Sequence, residues 1–237
     1  MAEILEFSPK PRLGNNSLLP RVADVRAHFI SELIHEKYTT DRNGGKTIEL
    51  LGACFLADED SIFGLPNVSY IEAEIDWYLG QSTNIYDIYP EGEKEPPQAW
   101  VATANSHGEI NSNYGYLIFD DKFYNQYDRV VDELANNPDS RRGTMVYNRP
   151  SIWVEFNDNQ KNDFICTNAV TYYIRDGQLH AAVQMRSNDV VFGYKNDYAW
   201  QKFIQKQLAK DLEVEPGQII WQVQNLHVYE RHFNLVN

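Results

Sequence analysis

The dipeptide Asp176-Gly177 limits the fold of this chain more than any other feature. It separates two strand-like runs, residues 164–174 and 178–185. Asp-Gly suits a two-residue hairpin turn, which needs positive φ at both central positions. The two runs are therefore expected to pair as antiparallel strands. A helical pattern follows at 197–212, with Trp200, Phe203, Ile204, Leu208 and Leu212 on one face. A closing strand is expected at 219–229.

The first half mixes periods. Residues 20–38 place Val22, Val25, Phe29, Leu33 and Ile34 at helical spacing, with Pro20 near the start. Residues 40–45 form a turn cluster and 48–56 read as a strand. Helices are expected at 70–79 and 121–136, separated by a polar loop at 90–97, and strands at 144–148 and 151–156. The pattern predicts an α+β fold: a mixed, mostly antiparallel sheet flanked by helices. We expect a loose N-terminal arm at 1–19 and a single domain at 20–237.

Composition narrows the function. With 237 residues, 43% of them hydrophobic, the chain can bury a core without covalent staples. Cys54 and Cys166 are its only cysteines, too few for a disulfide framework, and no zinc-ligand spacing appears. A reducing, cytoplasmic setting is expected. Neither a signal peptide nor an 18-residue apolar span is evident. A formal charge of −13 argues against binding a nucleic-acid backbone. The small basic clusters, Arg42, Arg141-Arg142 and Arg186, suit a single phosphate. No Rossmann or P-loop glycine pattern is present.

Taken alone, each candidate residue has an ordinary structural reading. Cys166 in an apolar strand reads as a small core hydrophobe. Each arginine reads as surface charge, and Glu74 as the polar side of a helix. His227 and Tyr229 share one face of a strand, where they could hold a sugar hydroxyl or simply be half-buried. The Asp176-Gly177 turn would bring Arg186 beside Cys166, consistent with thiol activation.

Together and in order, these segments resemble the thymidylate synthase family over about residues 25–232. The matching segments are Asp41-Arg42-Asn43-Gly44, Glu74-Ile75-Asp76-Trp77, Asn113-Tyr114-Gly115, Arg141-Arg142, Cys166, Arg186-Ser187-Asn188-Asp189 with Gly193, and His227-Val228-Tyr229 with His232. The resemblance implies a nucleophilic Cys166, with Glu74 managing water and proton transfer and Tyr114 orienting water. Arg42, Arg141, Arg142, Arg186 and Ser187 would hold phosphate, the Arg141-Arg142 pair reaching the other subunit of a homodimer. His227 and Tyr229 would hold the sugar 3′-hydroxyl, and Asp189 and Gly193 would line the base pocket. The implied one-carbon donor is 5,10-methylenetetrahydrofolate.

Two departures sharpen this expectation. Asp197 stands where those synthases carry an asparagine that reads the pyrimidine edge. A carboxamide matches the N3–H donor and O4 acceptor of uracil. Cytosine inverts that pattern. A carboxylate facing uracil O4 would bury two acceptors together, at about 1–3 kcal/mol. Asp197, with Cys166-Thr167-Asn168, resembles the bacteriophage deoxycytidylate-hydroxymethylating members of the family. The substrate implied is dCMP and the product 5-hydroxymethyl-dCMP. The chain also stops five residues past His232, so the arm is expected to assist closure over folate. The alternatives are a C5-methyltransferase acting on dUMP or dCMP, a CMP hydroxymethylase, or a catalytically silent nucleotide-binding protein.

Overall fold

The computed structural model describes residues 18–41, 44–89 and 94–237. Arg42, most of the expected N-terminal arm and part of the 90–97 loop lie outside the described residues.

Helix α1 (Val22–Ile34) buries Val22, Val25 and Phe29. Asp24 closes its first turn by accepting the Arg21 backbone N–H at 2.8 Å. Strands β1 (Thr39–Thr40) and β2 (Lys46–Leu56) follow, then α2 (Val68–Leu79), whose first turn is capped by the Asn67 side chain. The short helices α3 (Gln98–Val101) and α4 (Tyr114–Phe119) lead to α5 (Gln126–Asn136). Next come β3 (Thr144–Val146), the single turn α6 (Ile152–Glu155), and the hairpin β4 (Thr167–Arg175) and β5 (Gln178–Met185). The chain closes with β6 (Asn188–Asp189), α7 (Gly193–Asp211) and β7 (Glu215–Tyr229).

The sheet order is β1-β2-β7-β5-β4-β3, with β6 also against β7. β5 and β6 run parallel to β7, and the other four pairings are antiparallel. The expected mixed, mostly antiparallel α+β fold is therefore present. Asp176 and Gly177 both adopt positive φ, 52° and 75°, as the hairpin turn requires.

Helix α7 packs on the core face through Trp200, Ile204 and Leu208, against Val183, Trp221 and Val223 of the sheet. Gln205 Nε2 ties it to the sheet by donating to Leu179 O at 2.8 Å and Gly217 O at 3.1 Å. The opposite face is incompletely covered, leaving Ala169, Thr171, Tyr173, Ala182 and Gln222 half-buried and Gln184 exposed. No helix of the described residues is long and apolar enough to cross a membrane.

Three expectations need correction. Residues 151–156 form the α6 turn instead of a strand. Pro150 precedes it, Asn111 Nδ2 caps Glu155 O at 3.0 Å, and an Arg149–Glu155 ion pair closes it. The 121–136 helix is split, because Tyr124 and Asn125 are left-handed and Asn125 caps a new start at Gln126 by accepting the Asp128 N–H. Finally, β4 begins at Thr167, so Cys166 sits on the bend before the strand instead of within it.

Candidate active site

The hairpin sets the first contact. Thr167 pairs with Met185 at its open end, and Arg186 N donates to Cys166 O at 2.9 Å. Beyond Met185 the strand is interrupted at Arg186-Ser187, then resumes as β6 in unchanged register on β7. The Arg186 side chain turns back over the bend. Its Nε donates to Ile165 O at 2.9 Å, its Nη2 donates to Phe164 O at 2.5 Å, and Nη2 lies 3.6 Å from Cys166 Sγ. Three of its five N–H groups are thus used among the described residues, leaving the Nη1 pair.

Burial pushes the Cys166 thiol up to about 11. Arg186 opposes that shift, while Asp197 and Asp163 add to it. Asp163 is an anchor that the sequence did not disclose. It accepts from Asn111 N at 2.6 Å, Ser112 N at 2.8 Å and Ser112 Oγ at 2.7 Å, fixing the loop before Cys166.

Asp197 enters from the second turn of α7. Burial, with the nearby Glu74 charge next in weight, pushes its carboxyl up to about 8. Hydrogen bonding from Tyr114 and Asn188 pulls the other way. Glu74, buried on α2, is raised to about 7 by desolvation. It accepts the Tyr70 hydroxyl and, at 3.1 Å, Trp100 Nε1. Tyr114, at the start of α4, is 4% exposed and stacks on Tyr78 with ring centroids 5.3 Å apart. Its electrostatic neighbours include Asp197 and Cys166. Gly115 permits this packing, because a Cβ there would lie 1.8 Å from Tyr78 O. Thus Cys166, Arg186, Tyr114, Glu74 and Asp197 are electrostatically coupled across three helices, the strand break at Arg186 and the Cys166 bend. Perturbed acids concentrated in this way mark a functional site.

The sugar-side candidates sit along β6 and β7. Asp189 is the sheet partner of His227, and Val190 N donates to His227 O at 2.9 Å. Desolvation lowers the His227 pKa, keeping the ring neutral near pH 7. The His227 and Tyr229 rings share a face, 4.8 Å between centroids. Asp189 Oδ1 receives Val191, Phe192 and Gly193 N–H groups at 3.0, 2.6 and 3.4 Å. Its Oδ2 is buried without a hydrogen bond, 3.9 Å from His232 Nδ1. Ser187 is half-buried at the strand break.

Arg141 and Arg142 stand apart from this group. Both are exposed just before edge strand β3, and Arg142 Nη2 pairs with Glu133 at 3.0 Å. The sequence reading gave no role to Trp100, Tyr70, Asn188 or Trp221. Only the fold places the first pair on Glu74 and the second beside Asp197.

A thiol beside a guanidinium and two near-neutral carboxyls thus meet on an α+β scaffold. Residues 29–237 match the family model described as Thymidylate synthase, and the chain belongs to that family. It is 48% identical over 223 residues to Deoxycytidylate 5-hydroxymethyltransferase of Enterobacteria phage T4, covering 91% of this chain and 89% of that protein. The phage T6 protein of the same name gives the same values. A thymidylate synthase of Vesicomyosocius okutanii is 25% identical over 212 residues, covering 84% of this chain and 76% of that protein.

Proposed function

We propose that this protein is a folate-dependent deoxycytidylate 5-hydroxymethyltransferase. It transfers a one-carbon unit to C5 of dCMP and adds water, giving 5-hydroxymethyl-dCMP. The observation that carries this reading is the buried carboxyl of Asp197, whose Oδ2 is held by Asn188 Nδ2 at 2.7 Å. A carboxyl accepts from cytosine N4 in either protonation state and, when neutral, also donates to N3, whereas an ionised one would set two acceptors against uracil O4. The phage relatives' printed activity agrees with that choice of base.

In this reading Cys166 Sγ adds to C6, which makes C5 nucleophilic. Approach of the substrate phosphate and base displaces water, and Arg186 favours the thiolate over the thiol. Glu74, close to half-ionised at neutral pH, holds and moves protons for the water that completes the product. Tyr114 steadies that water beside Asp197. His227 and Tyr229 take the 3′-hydroxyl, and Gly193 leaves room for the base. Ser187 and the free Nη1 edge of Arg186 bind phosphate, joined by Arg42.

Folate is compatible with the residues present: Asp189, held below its ordinary value and with Oδ2 approached by His232 Nδ1 only at 3.9 Å, can accept an N–H of a pterin ring. Asp189 would hold the ring there while also edging the base pocket. Bound 5,10-methylenetetrahydrofolate supplies the methylene carbon.

A homodimer is supported by the incompletely covered sheet face and by the exposed Arg141-Arg142 pair. Those arginines would complete the phosphate site of a second copy.

The test is incubation with tetrahydrofolate, formaldehyde and either dCMP or dUMP. Tritium release from C5 of dCMP and a hydroxymethyl product by mass spectrometry are expected, and both should vanish in Cys166→Ala. Release from dUMP alone would overturn the cytosine reading.

A further inference from the structure

Asn188 is 3% exposed and lies between Trp221 and Asp197. Trp221 Nε1 donates to Asn188 Oδ1 at 3.2 Å, and Asn188 Nδ2 donates to Asp197 Oδ2 at 2.7 Å. An indole N–H can only donate, so it fixes which end of the amide faces which neighbour. The reversed amide would set its NH₂ against the indole N–H, two donors together. Trp221 is itself fully buried, with the rings of Tyr194 and Tyr198 5.4 and 6.2 Å away. Gly193 leaves little slack, because a Cβ there would lie 3.0 Å from Asn188 Nδ2.

We propose that Trp221 and Asn188 decide which oxygen of Asp197 carries the proton, and that Asn188 is thereby a specificity-determining positioning residue for cytosine over uracil. This rests on the dCMP reading above. A neutral carboxyl has one carbonyl oxygen and one hydroxyl oxygen, and the carbonyl oxygen is the better acceptor. An N–H aimed at Oδ2 favours the carbonyl there and the proton on Oδ1. The oxygen held by Asn188 then accepts from N4 of the base, and Oδ1–H donates to N3. Uracil needs the reverse assignment, with N3–H donating and O4 accepting. A carboxyl whose proton is free to change oxygen satisfies either base. One whose proton is held satisfies only cytosine. Glu74, Asp189 and the Tyr114 hydroxyl face the same carboxyl: the two acids favour its protonated form, while the hydrogen bond from Tyr114, like that from Asn188, opposes it.

The experiment compares wild type with Asn188→Ala by calorimetric binding of dCMP and dUMP and by kcat/KM for each. The dCMP:dUMP preference should fall about tenfold or more in both measurements. The pH at which dCMP affinity falls should also move higher, because a hydrogen bond favouring the ionised acid is lost. A purely structural role would weaken both nucleotides alike, and an unchanged preference ratio overturns the proposal. If Asn188→Ala does not fold, Trp221→Phe leaves Asn188 in place but frees its amide to turn. It must shift the ratio in the same direction. Wild type that binds dCMP preferentially but does not turn it over counts against the activity, while the binding ratio still decides the role of Asn188.

Discussion

Arg186 Nη2 lies 3.6 Å from Cys166 Sγ, yet the thiol remains raised to about 11. Burial outweighs the neighbouring Arg186 cation. The guanidinium is partly committed to the Phe164 and Ile165 carbonyls, so it holds the bend as well as acting on the sulfur. The free protein therefore keeps the sulfur protonated at neutral pH.

Alkylation of Cys166 should accordingly be slow at pH 7 in the absence of substrate. The rate should climb about tenfold per pH unit up to pH 10, following the thiolate fraction. Peptide mass spectrometry after timed iodoacetamide treatment separates Cys166 from Cys54. A plateau between about pH 7 and 9 would contradict the raised thiol.

The pH profile for dCMP follows from Asp197. Its carboxyl is neutral below about 8 and ionised above it. Ionisation removes the donor to N3, so the affinity for dCMP should fall as pH rises through that value, by as much as about tenfold per pH unit. Calorimetric Kd values from pH 6 to 10 check this without the rising Cys166 thiolate that offsets the loss in steady-state rates, and a flat affinity across 8 would contradict it.

Asp197→Asn should transfer preference to dUMP, since a carboxamide fits the uracil edge. It should also change stability. The folded carboxyl titrates near 8 against an ordinary 3.8, so its stabilising effect is complete below 3.8 and lost as pH rises through 8. Replacing it removes that loss. Thermal melts should show the variant gaining on wild type between pH 6 and pH 8, with no gain if Asp197 titrates normally.

Glu74→Gln should lower kcat by about 10²–10⁴, the usual contribution of a positioned acid–base group. Trp100→Phe tests the same group more gently. It deletes the 3.1 Å hydrogen bond that holds the Glu74 pKa down, so the kcat limb near 7 should move to higher pH. An unmoved limb would assign it to another residue.

Gly115→Ala should destabilise the fold by about 3 kcal/mol, because α4 and α2 must separate to relieve the clash with Tyr78 O. Denaturant melts measure this directly. Activity should fall with stability, since the same contact seats Tyr114.

Much of the fold was legible because its signals are local. Asp176-Gly177 fixed a hairpin, and the β5 range emerged as expected. The helical face of α7 was read correctly, although the helix starts four residues earlier, at Gly193. Residues 151–156 misled because their strand-favouring side chains lie next to a proline-led turn, and tertiary hydrogen bonds overrode propensity. The split at Tyr124-Asn125 was hidden because one capping asparagine in a polar helix has no distinctive spacing.

The sequence determined the hairpin, the α+β class, and the presence of a thiol, an Arg-Ser pair and an aspartate where a carboxamide would read uracil. These depend on residue identity and on short-range spacing. Only the tertiary structure decided their chemical state. Burial raises Cys166, Glu74 and Asp197 together, because charge is costly wherever the fold excludes water. The link from Trp221 through Asn188 to Asp197 crosses two strands and a helix. No local pattern encodes it, since the three residues meet only once β6 pairs with β7 and the first turns of α7 fold back over both.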